Sequence, residues 1–191
     1  MRCCLAKVLA GVVFCYLSVG FYSCSKVVKD VHYDLAMQIG SVDIMIPPTE
    51  DTNTEHLLGT GIAHFNIDSF IKSNTQNVLG AGNIQSIHLT ACTLTIPSQQ
   101  SATIRNNFAN LQSCYATFAS SGSTQSYISR LDSNPDQAAT TLSIPVNQNV
   151  DLIDYMKGSD FTYSIGGRLR RPITDSIKCT IQYQFSIGVQ G

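Results

Sequence analysis

The sequence contains no tryptophan among its 191 residues, and only 13% of the residues are charged. Exposed flat aromatic rings are a common basis of glycan binding, so the missing tryptophan counts against a glycan-binding surface. The motifs of serine hydrolases, zinc proteases and P-loop enzymes are also missing. Gly59-Thr60-Gly61 lacks the third glycine of a dinucleotide loop. We therefore predict a protein that is not an enzyme and that holds no cofactor.

Metal ligands at metal-binding spacings are equally scarce. No CxxC pair or Cys/His cluster is present, which argues against zinc. Residues 132–136 have the D-x-N-x-D spacing of a calcium loop, but Gln137 and Ser143 stand where that loop needs glycine and glutamate. We interpret this segment as a turn built from Asx side chains and predict no metal site. His64 and His88 lie in strand-like segments and could meet across a sheet, although exposed or hydrogen-bonded histidines explain them more simply.

The N-terminal apolar run, residues 8–21, is too short for a membrane-spanning helix, which needs about 20 apolar residues. Arg2 and Lys7 precede the run, and small residues follow it. A short basic region, an apolar core and a small residue before the cut are typical of an export signal. We predict that residues 1–23 are a signal peptide.

Ser23-Cys24 at the end of this run resembles the lipobox of bacterial lipoproteins, with Phe21 where the usual pattern has leucine. The sequence Tyr-Ser-Cys-Ser-Lys is similar to the signals of Bacteroidota lipoproteins. This resemblance implies that the Cys24 thiol takes a diacylglycerol and becomes the mature N-terminus. It implies a place in the cell envelope, at the bacterial outer membrane, facing the periplasm or the surface. The alternative is ordinary cleavage and secretion, with Cys24 left as a thiol.

A multiply acylated Cys24 would make the lipid the protein's membrane partner, because stable anchoring takes more than one acyl chain. Residues 24–34 are polar and charged and are predicted to form the lipidated tether, followed by a single domain over 35–191. Cleavage removes two basic residues and no acidic one, leaving ten basic against 13 acidic residues. A mildly acidic mature chain argues against nucleic acid as a partner.

Four cysteines remain after cleavage, and acylation of Cys24 leaves three: Cys92, Cys114 and Cys179. At most one disulfide can form among three thiols, and its pairing cannot be deduced from the sequence. Each of the three lies in an apolar, strand-like run, where a free cysteine behaves as a small hydrophobe. We predict buried thiols or one disulfide.

Alternating apolar and polar residues are the main signal in the remainder of the chain. Residues 177–187 alternate most regularly, which predicts an antiparallel strand with one face in the core and one in water. Residues 84–96 change phase near Thr90-Ala91, and residues 36–46 change phase near Gly40-Ser41. Because a change of phase turns side chains to the opposite face, both positions predict a bulge.

Shorter segments complete the predicted elements. Strands are expected at 62–67, 127–131, 140–146 and 161–165, the third being limited to an edge by Pro145, and Gly166-Gly167 are expected to form a turn. Helical segments are expected at 68–72, 103–111 and 150–157, the last with Asn149 as N-cap. None is long enough to cross over a parallel sheet. The fold class predicted is all-β, an antiparallel β-sandwich with two or three short helices.

Arg168, Arg170 and Arg171 form the only basic cluster, which is either a solvated hairpin or a contact for an acidic partner.

The function predicted is a lipid-anchored envelope protein with a non-catalytic binding or adhesion role toward a protein or glycan. The alternative is a structural or accessory subunit of an envelope assembly, and the third is a secreted hydrolase. A row of exposed tyrosines would favour the first function, and an uncovered apolar edge strand would favour the second. The tyrosines available in the mature domain are Tyr33, Tyr115, Tyr127, Tyr155, Tyr163 and Tyr183.

Overall fold

The computed structural model describes residues 31–97, 107–120, 126–156 and 158–191. In these ranges the chain forms two antiparallel four-stranded sheets. The strands are β1 (His32–Ile46), β2 (Glu55–His64), β3 (Ile84–Thr95), β4 (Leu111–Ser120), β5 (Ser126–Leu131), β6 (Thr141–Ser143), β7 (Asp160–Leu169) and β8 (Ile177–Gln190). The first sheet has the order β1-β8-β3-β6 and the second the order β2-β7-β4-β5. The predicted all-β sandwich is confirmed.

The most regular alternation in the sequence belongs to β8, which lies between β1 and β3 in the first sheet. Every odd-numbered residue of β8 from Ile177 to Val189 is buried, whereas Lys178 and Gln184 are exposed. Because side chains alternate between the two faces of a strand, one face of β8 lines the core as predicted. Across the core, the rings of Tyr163 in β7 and Tyr183 in β8 stack with centroids 4.4 Å apart.

Both segments with a predicted change of phase contain a shift in the register of strand pairing. The register of β1 against β8 shifts between Ile39 and Val42. The register of β3 against β8 shifts between Leu89 and Ala91. At each shift the strand has one residue more than its partner. The extra residue keeps the apolar side chains on both sides of the shift pointing toward the core.

One helix and two short turns accompany the strands in the described ranges. Helix α1 (Ile67–Asn74) begins after Asn66, whose side chain accepts a hydrogen bond from the backbone N–H of Ser69. Ala81–Asn83 and Phe108–Asn110 are single 3-10 turns. The helix predicted over 103–111 is therefore wrong at its C-terminal end, and residues 103–106 lie outside the described ranges. No helix among the described residues is long and apolar enough to cross a membrane.

The helix predicted over 150–157 is wrong for the described residues 150–156, which form a turn at 153–156. Asp151 accepts hydrogen bonds through Oδ1 from the backbone N–H groups of Ile87 and Ile153, and the N–H of Leu152 donates to the carbonyl of Ile87. The segment thus bonds to the part of β3 that β6 leaves unpaired. These tertiary bonds override the local helix signal, because they satisfy backbone groups at a sheet edge.

The other sheet edges contact neighbouring segments at some positions. Beyond β6, the carbonyl of Pro145 accepts from the N–H of Arg130, and the N–H of Asn147 donates to the carbonyl of Ile128, so this segment borders β5. At the opposite side, β1 and β2 pack closely: a Cβ placed on Gly59 would lie 2.3 Å from Ile44 Cγ2. The edges are therefore covered only in part, and the edge strand β2 keeps Leu57 and Ile62 exposed.

Several predicted positions are wrong. The strand expected at 62–67 begins at Glu55 and ends at His64. His32, Tyr33 and Asp34, the last residues of the predicted tether, belong to β1 and pair with Gln190, Val189 and Gly188. The predicted Gly166-Gly167 turn lies inside β7, where both residues pair with β2 and β4. These glycines give β7 room for neighbouring groups, since a Cβ on Gly167 would come within 2.2 Å of the Ser113 carbonyl oxygen.

Candidate functional site

The three predicted thiols are free and buried. Cys92 lies in β3, Cys114 in β4 and Cys179 in β8, all on the core side. Burial raises the pKa of Cys92 and of Cys179 to about 12, and it raises the pKa of Cys114 further. Because the thiolate is the reactive form, these thiols are structural and chemically inert at neutral pH.

The three predicted contact arginines form bonds within the domain. Arg168 donates through Nε to the carbonyl of Thr52. Arg170 is half-buried, and its guanidinium donates to the carbonyls of Ala109 and Asn134. Arg171 pairs with the carboxylate of Asp136, whose pKa is lowered mainly by that hydrogen bond. The cluster fastens β7 and the segment after it to neighbouring loops, and its contact with an acidic partner stays a prediction.

The segment 132–136 is irregular, with bends at residues 132 and 136, and its side chains bond to other parts of the domain. Asp132 accepts from Nε of Arg130, and the side-chain amide of Asn134 donates to the carbonyls of Phe108 and Leu111. Across the described ranges, no group of three or more possible metal ligands occurs. Cys24 and its lipidation lie outside the described residues and stay a prediction.

The two histidines that could have met across a sheet lie in different sheets. His64 ends β2 and bonds through Nδ1 to Asp160 Oδ1 at 2.5 Å, with both side chains exposed. His88 in β3 shares a hydrogen bond with the carbonyl of Val150. Neither arrangement places a nucleophile beside a base.

Among the described strands, the large apolar side chains with the highest exposed fractions lie on the outer face of the second sheet. Leu57 and Ile62 in β2 are both 63% exposed, and Tyr127 in β5 is 57% exposed. Their cross-strand neighbours are small or hydroxylic: Ser164 lies beside Thr117, and Thr162 lies beside Ala119. We call this surface, which runs from Leu57 and Ile62 to Tyr127, the tyrosine face.

Tyr115 in β4 forms the floor of this face. Gly166 is its partner on β7, and Leu57 is the partner of Gly166 on β2. A Cβ on Gly166 would come within 2.1 Å of Tyr115 Cζ, so the ring end lies over the glycine. Burial, followed by neighbouring Tyr127 and Glu55, raises the pKa of Tyr115. The phenol is therefore a neutral group that can both donate and accept a hydrogen bond.

An ion pair bounds one end of the tyrosine face. Arg130 in β5 donates through Nη2 to Glu55 Oε1 in β2 at 2.9 Å. Because β5 and β2 are the two edge strands, the side chains bridge a backbone separation of three strand spacings, roughly 14 Å. The guanidinium carbon lies 6.0 Å from the centroid of Tyr115. Arg130 also bonds Asp132, so its charge is already satisfied inside the domain.

Tyr127 separates two depressions. The first has a volume of about 490 Å³ and is lined by Leu57, Tyr115, Thr117, Ala119, Thr162, Ser164 and Tyr127 itself. The second, of about 380 Å³, lies between Tyr127 and the segment Pro145–Asn147. The rings of Tyr115 and Tyr127 meet edge to face, with centroids 5.2 Å apart and an angle of 67°. Both volumes fall in the range of small-molecule sites, roughly 300–1,000 Å³.

The outer face of the first sheet differs in chemistry. Its shallow depression is smaller, about 250 Å³, and it contains the polar side chains of Gln38, Thr90 and Gln184. Met45 is the one large apolar side chain exposed on a described strand of this sheet, at 51%. The tyrosine face is therefore the surface of the described domain best suited to bind a ligand.

Sequence reasoning named Tyr115 and Tyr127 among six candidates but did not bring them together with Leu57. These residues lie on three strands that are separated along the chain, and their proximity depends on the order β2-β7-β4-β5. A usable signal was present at Gly166-Gly167, because glycine inside a strand often marks close approach of another group.

No protein-family model and no curated protein matches this sequence. Among solved structures, the chain is similar to a chain from Desmodium yellow mottle tymovirus. The two chains are 9% identical, and the match covers 85% of this chain and 89% of that chain with a TM-score of 0.30. A similarity at this level does not indicate a shared function.

Proposed function

We propose that this chain is a lipid-anchored cell-envelope protein whose β-sandwich has a non-catalytic binding role. The observation that supports the binding role is the tyrosine face, where two tyrosines stand beside depressions of about 490 and 380 Å³. Aromatic side chains combine a large apolar area with a polar tip, which makes them frequent in binding surfaces.

The anchor is proposed from the sequence alone. Cys24 follows a basic and apolar signal, and β1 begins eight residues later at His32. The segment between them would hold the sandwich close to the lipid surface, since an extended chain spans at most about 3.5 Å per residue. The tyrosine face would then meet material within or near the envelope.

A structural or accessory subunit is the second candidate. Leu57 and Ile62 support it, because exposed apolar side chains on one sheet face can pack against another protein. Both residues lie on β2, an edge strand of the second sheet, which also supports the strand-to-strand form of this candidate. A secreted hydrolase stays third, since the larger depression is lined by hydroxyl, apolar and phenol groups without a carboxylate or histidine.

The experiment compares binding of the full-length protein to isolated native envelope with that of two variants. Tyr127→Ala alters the tyrosine face, and Met45→Ala alters an equally exposed apolar residue on the other sheet. We expect Tyr127→Ala to weaken binding and Met45→Ala to leave it unchanged. Equal binding by all three proteins would contradict the proposed role of the face.

The anchor is tested separately on the same cells. Intact-mass analysis of membrane-extracted protein should show loss of residues 1–23 and added acyl mass on Cys24. Cys24→Ala should leave the membrane fraction. A Cys24→Ala protein that stays in the membrane would contradict the lipid anchor without affecting the binding result.

A further inference from the structure

We infer that the free edge of β2 binds a second copy of this chain. The β2 strands of the two copies pair antiparallel about a twofold axis, which joins two second sheets into one continuous sheet. This inference goes beyond the proposed binding role, because it concerns the edge of the sheet and a different occupant. It follows from the unpaired side of β2, from its exposed apolar side chains and from the charges at its two ends.

One side of β2 has no neighbouring strand in the described part of the chain. β2 stands first in the order β2-β7-β4-β5 and pairs with β7. β1 contacts β2 from the core side, where a Cβ on Gly61 would lie 2.2 Å from Val42 Cγ1. Proline, lysine and arginine, which protect many natural edge strands from pairing, are missing from β2. Its outward backbone N–H and C=O groups are therefore suited to pair with another strand.

The exposed apolar residues of β2 match each other in a twofold arrangement. Leu57 and Ile62 are both 63% exposed on the outer face. Residues directly opposite each other in an antiparallel pair share a face and pack side by side. Setting Leu57 of one copy opposite Ile62 of the second copy therefore forms two apolar pairs, one on each side of the axis.

The bulge of β2 favours a second copy over the strand of another protein. The register of β2 against β7 shifts between Leu57 and Gly59, which places the irregularity between the two apolar pairs. Since both copies carry the same irregularity, their strands have equal length between the pairs. A regular strand would lose its register on crossing the bulge.

The two ends of β2 carry complementary groups. In the same register Glu55 lies opposite His64 of the second copy. Glu55 bonds Arg130 through Oε1, and His64 bonds Asp160 through Nδ1. Glu55 Oε2 and His64 Nε2 have no hydrogen bond among the described residues, so they can bond each other across the dimer. A parallel pairing would instead bring the two Glu55 carboxylates together, which is unfavourable.

The dimer would also enlarge the candidate site. Opposite residues share a face, so the tyrosine faces of both copies lie on the same side of the continuous sheet. Leu57 lines the larger depression, which has a volume of about 490 Å³. Ile62 of the second copy would stand beside Leu57 and extend the apolar wall of that depression.

Disulfide crosslinking of the full-length protein in its native envelope tests the contact. Thr60 is exposed and lies next to the proposed axis, so Thr60→Cys should form a disulfide-linked dimer on mild oxidation. Gln184→Cys, at an exposed position of β8 on the first sheet, is the control and should stay monomeric. The unaltered protein reports any crosslink through Cys24. Absence of a Thr60→Cys dimer, or capture of a different protein by this variant, would overturn the inference.

Charge complementation tests the orientation and register independently. Ile62→Lys and Leu57→Glu should each weaken self-association about fivefold or more, measured by sedimentation of the full-length protein in detergent. Mixing these two variants should restore association, because the introduced lysine then faces the introduced glutamate while the second apolar pair is kept. Mixing Ile62→Lys with Leu57→Lys is the matched control and should restore nothing. Both positions are exposed, and thermal unfolding checks that each variant is folded.

The outcomes separate this inference from the proposed function. Equal association in the two mixtures, or an unaltered protein that stays monomeric at every concentration, would overturn the dimer. Neither result changes the comparison of Tyr127→Ala with Met45→Ala, which tests the binding role at residues outside β2.

Discussion

The ring of Tyr115 lies over the Cα of Gly166, on the neighbouring strand of the second sheet. A Cβ on Gly166 would come within 2.1 Å of Cζ and 2.2 Å of the hydroxyl oxygen of Tyr115. Only a residue without a side chain lets the phenol occupy this position. The glycine therefore shapes the floor of the tyrosine face, on which the binding role is proposed.

Two adjacent glycines allow this role to be separated from folding. Gly166→Ala should displace the end of the Tyr115 side chain, which can rotate away, so binding should weaken with little loss of stability. Gly167→Ala should cost roughly 1–3 kcal/mol, because its Cβ would lie 2.2 Å from the Ser113 carbonyl oxygen and the backbone would have to move. Urea unfolding and ligand binding measured on both variants check the contrast. Equal losses of stability in the two variants would contradict it.

Tyr163→Phe should increase the stability of the protein. The hydroxyl of Tyr163 is buried and has no hydrogen-bond partner among the described residues, and burial raises its pKa. Removing such a group recovers its desolvation cost, about 1–3 kcal/mol, while the ring keeps its stack on Tyr183. The free energy of unfolding in urea measures the gain. A loss of stability in Tyr163→Phe would show that the hydroxyl is satisfied in solution.

The basic cluster should divide into one structural arginine and one dispensable arginine. Arg170→Met leaves the carbonyls of Ala109 and Asn134 without their charged donor and should cost about 2–3 kcal/mol. Arg171→Met removes an exposed pair with Asp136 and should leave the unfolding midpoint unchanged. Thermal unfolding of the two variants provides the comparison. A larger loss in Arg171→Met would reverse the assignment.

Stability should fall steeply at alkaline pH. The thiols of Cys92 and Cys179 have a folded-state pKa of about 12, raised by burial from an ordinary value of 9.0. Between these values the unfolded chain loses thiol protons that the folded chain keeps, so stability is full below about pH 9 and is lost as pH rises toward 12. Urea unfolding from pH 7 upward measures the slope, and Cys179→Ala should reduce it. A flat profile above pH 9 would contradict burial of the thiols.

The sequence predicted those features that depend on the alternation of apolar and polar residues or on a proline. The core face of β8, the bulge near Ala91 and the edge position of β6 all follow from residue period and proline chemistry. Sequence patterns gave wrong predictions where contacts with residues distant in the chain determine the local structure. The turn at Gly166-Gly167 was wrong because Tyr115 and Ser113 occupy the space above those glycines.

The helix expected over 150–157 failed for a related reason. Asp151 and Leu152, in its expected first turn, bond to Ile87 on a sheet edge, a partner that no local pattern reveals. The candidate site shares this dependence, since Leu57, Tyr115 and Tyr127 meet only through strand order. Local sequence rules therefore predicted the fold class and several strands, and tertiary pairing created the surface on which the function is proposed.

The most direct test of the account is hydroxyl-radical footprinting of the full-length protein in its native envelope and again after purification. Tyr127 and Met45 are similarly exposed on opposite sheets, at 57% and 51%, so they report on the two faces under the same conditions. Binding through the tyrosine face predicts that Tyr127 is protected from oxidation in the envelope, while Met45 is oxidised equally in both samples. Protection of Met45 with no change at Tyr127 would place the contact on the first sheet and contradict the account.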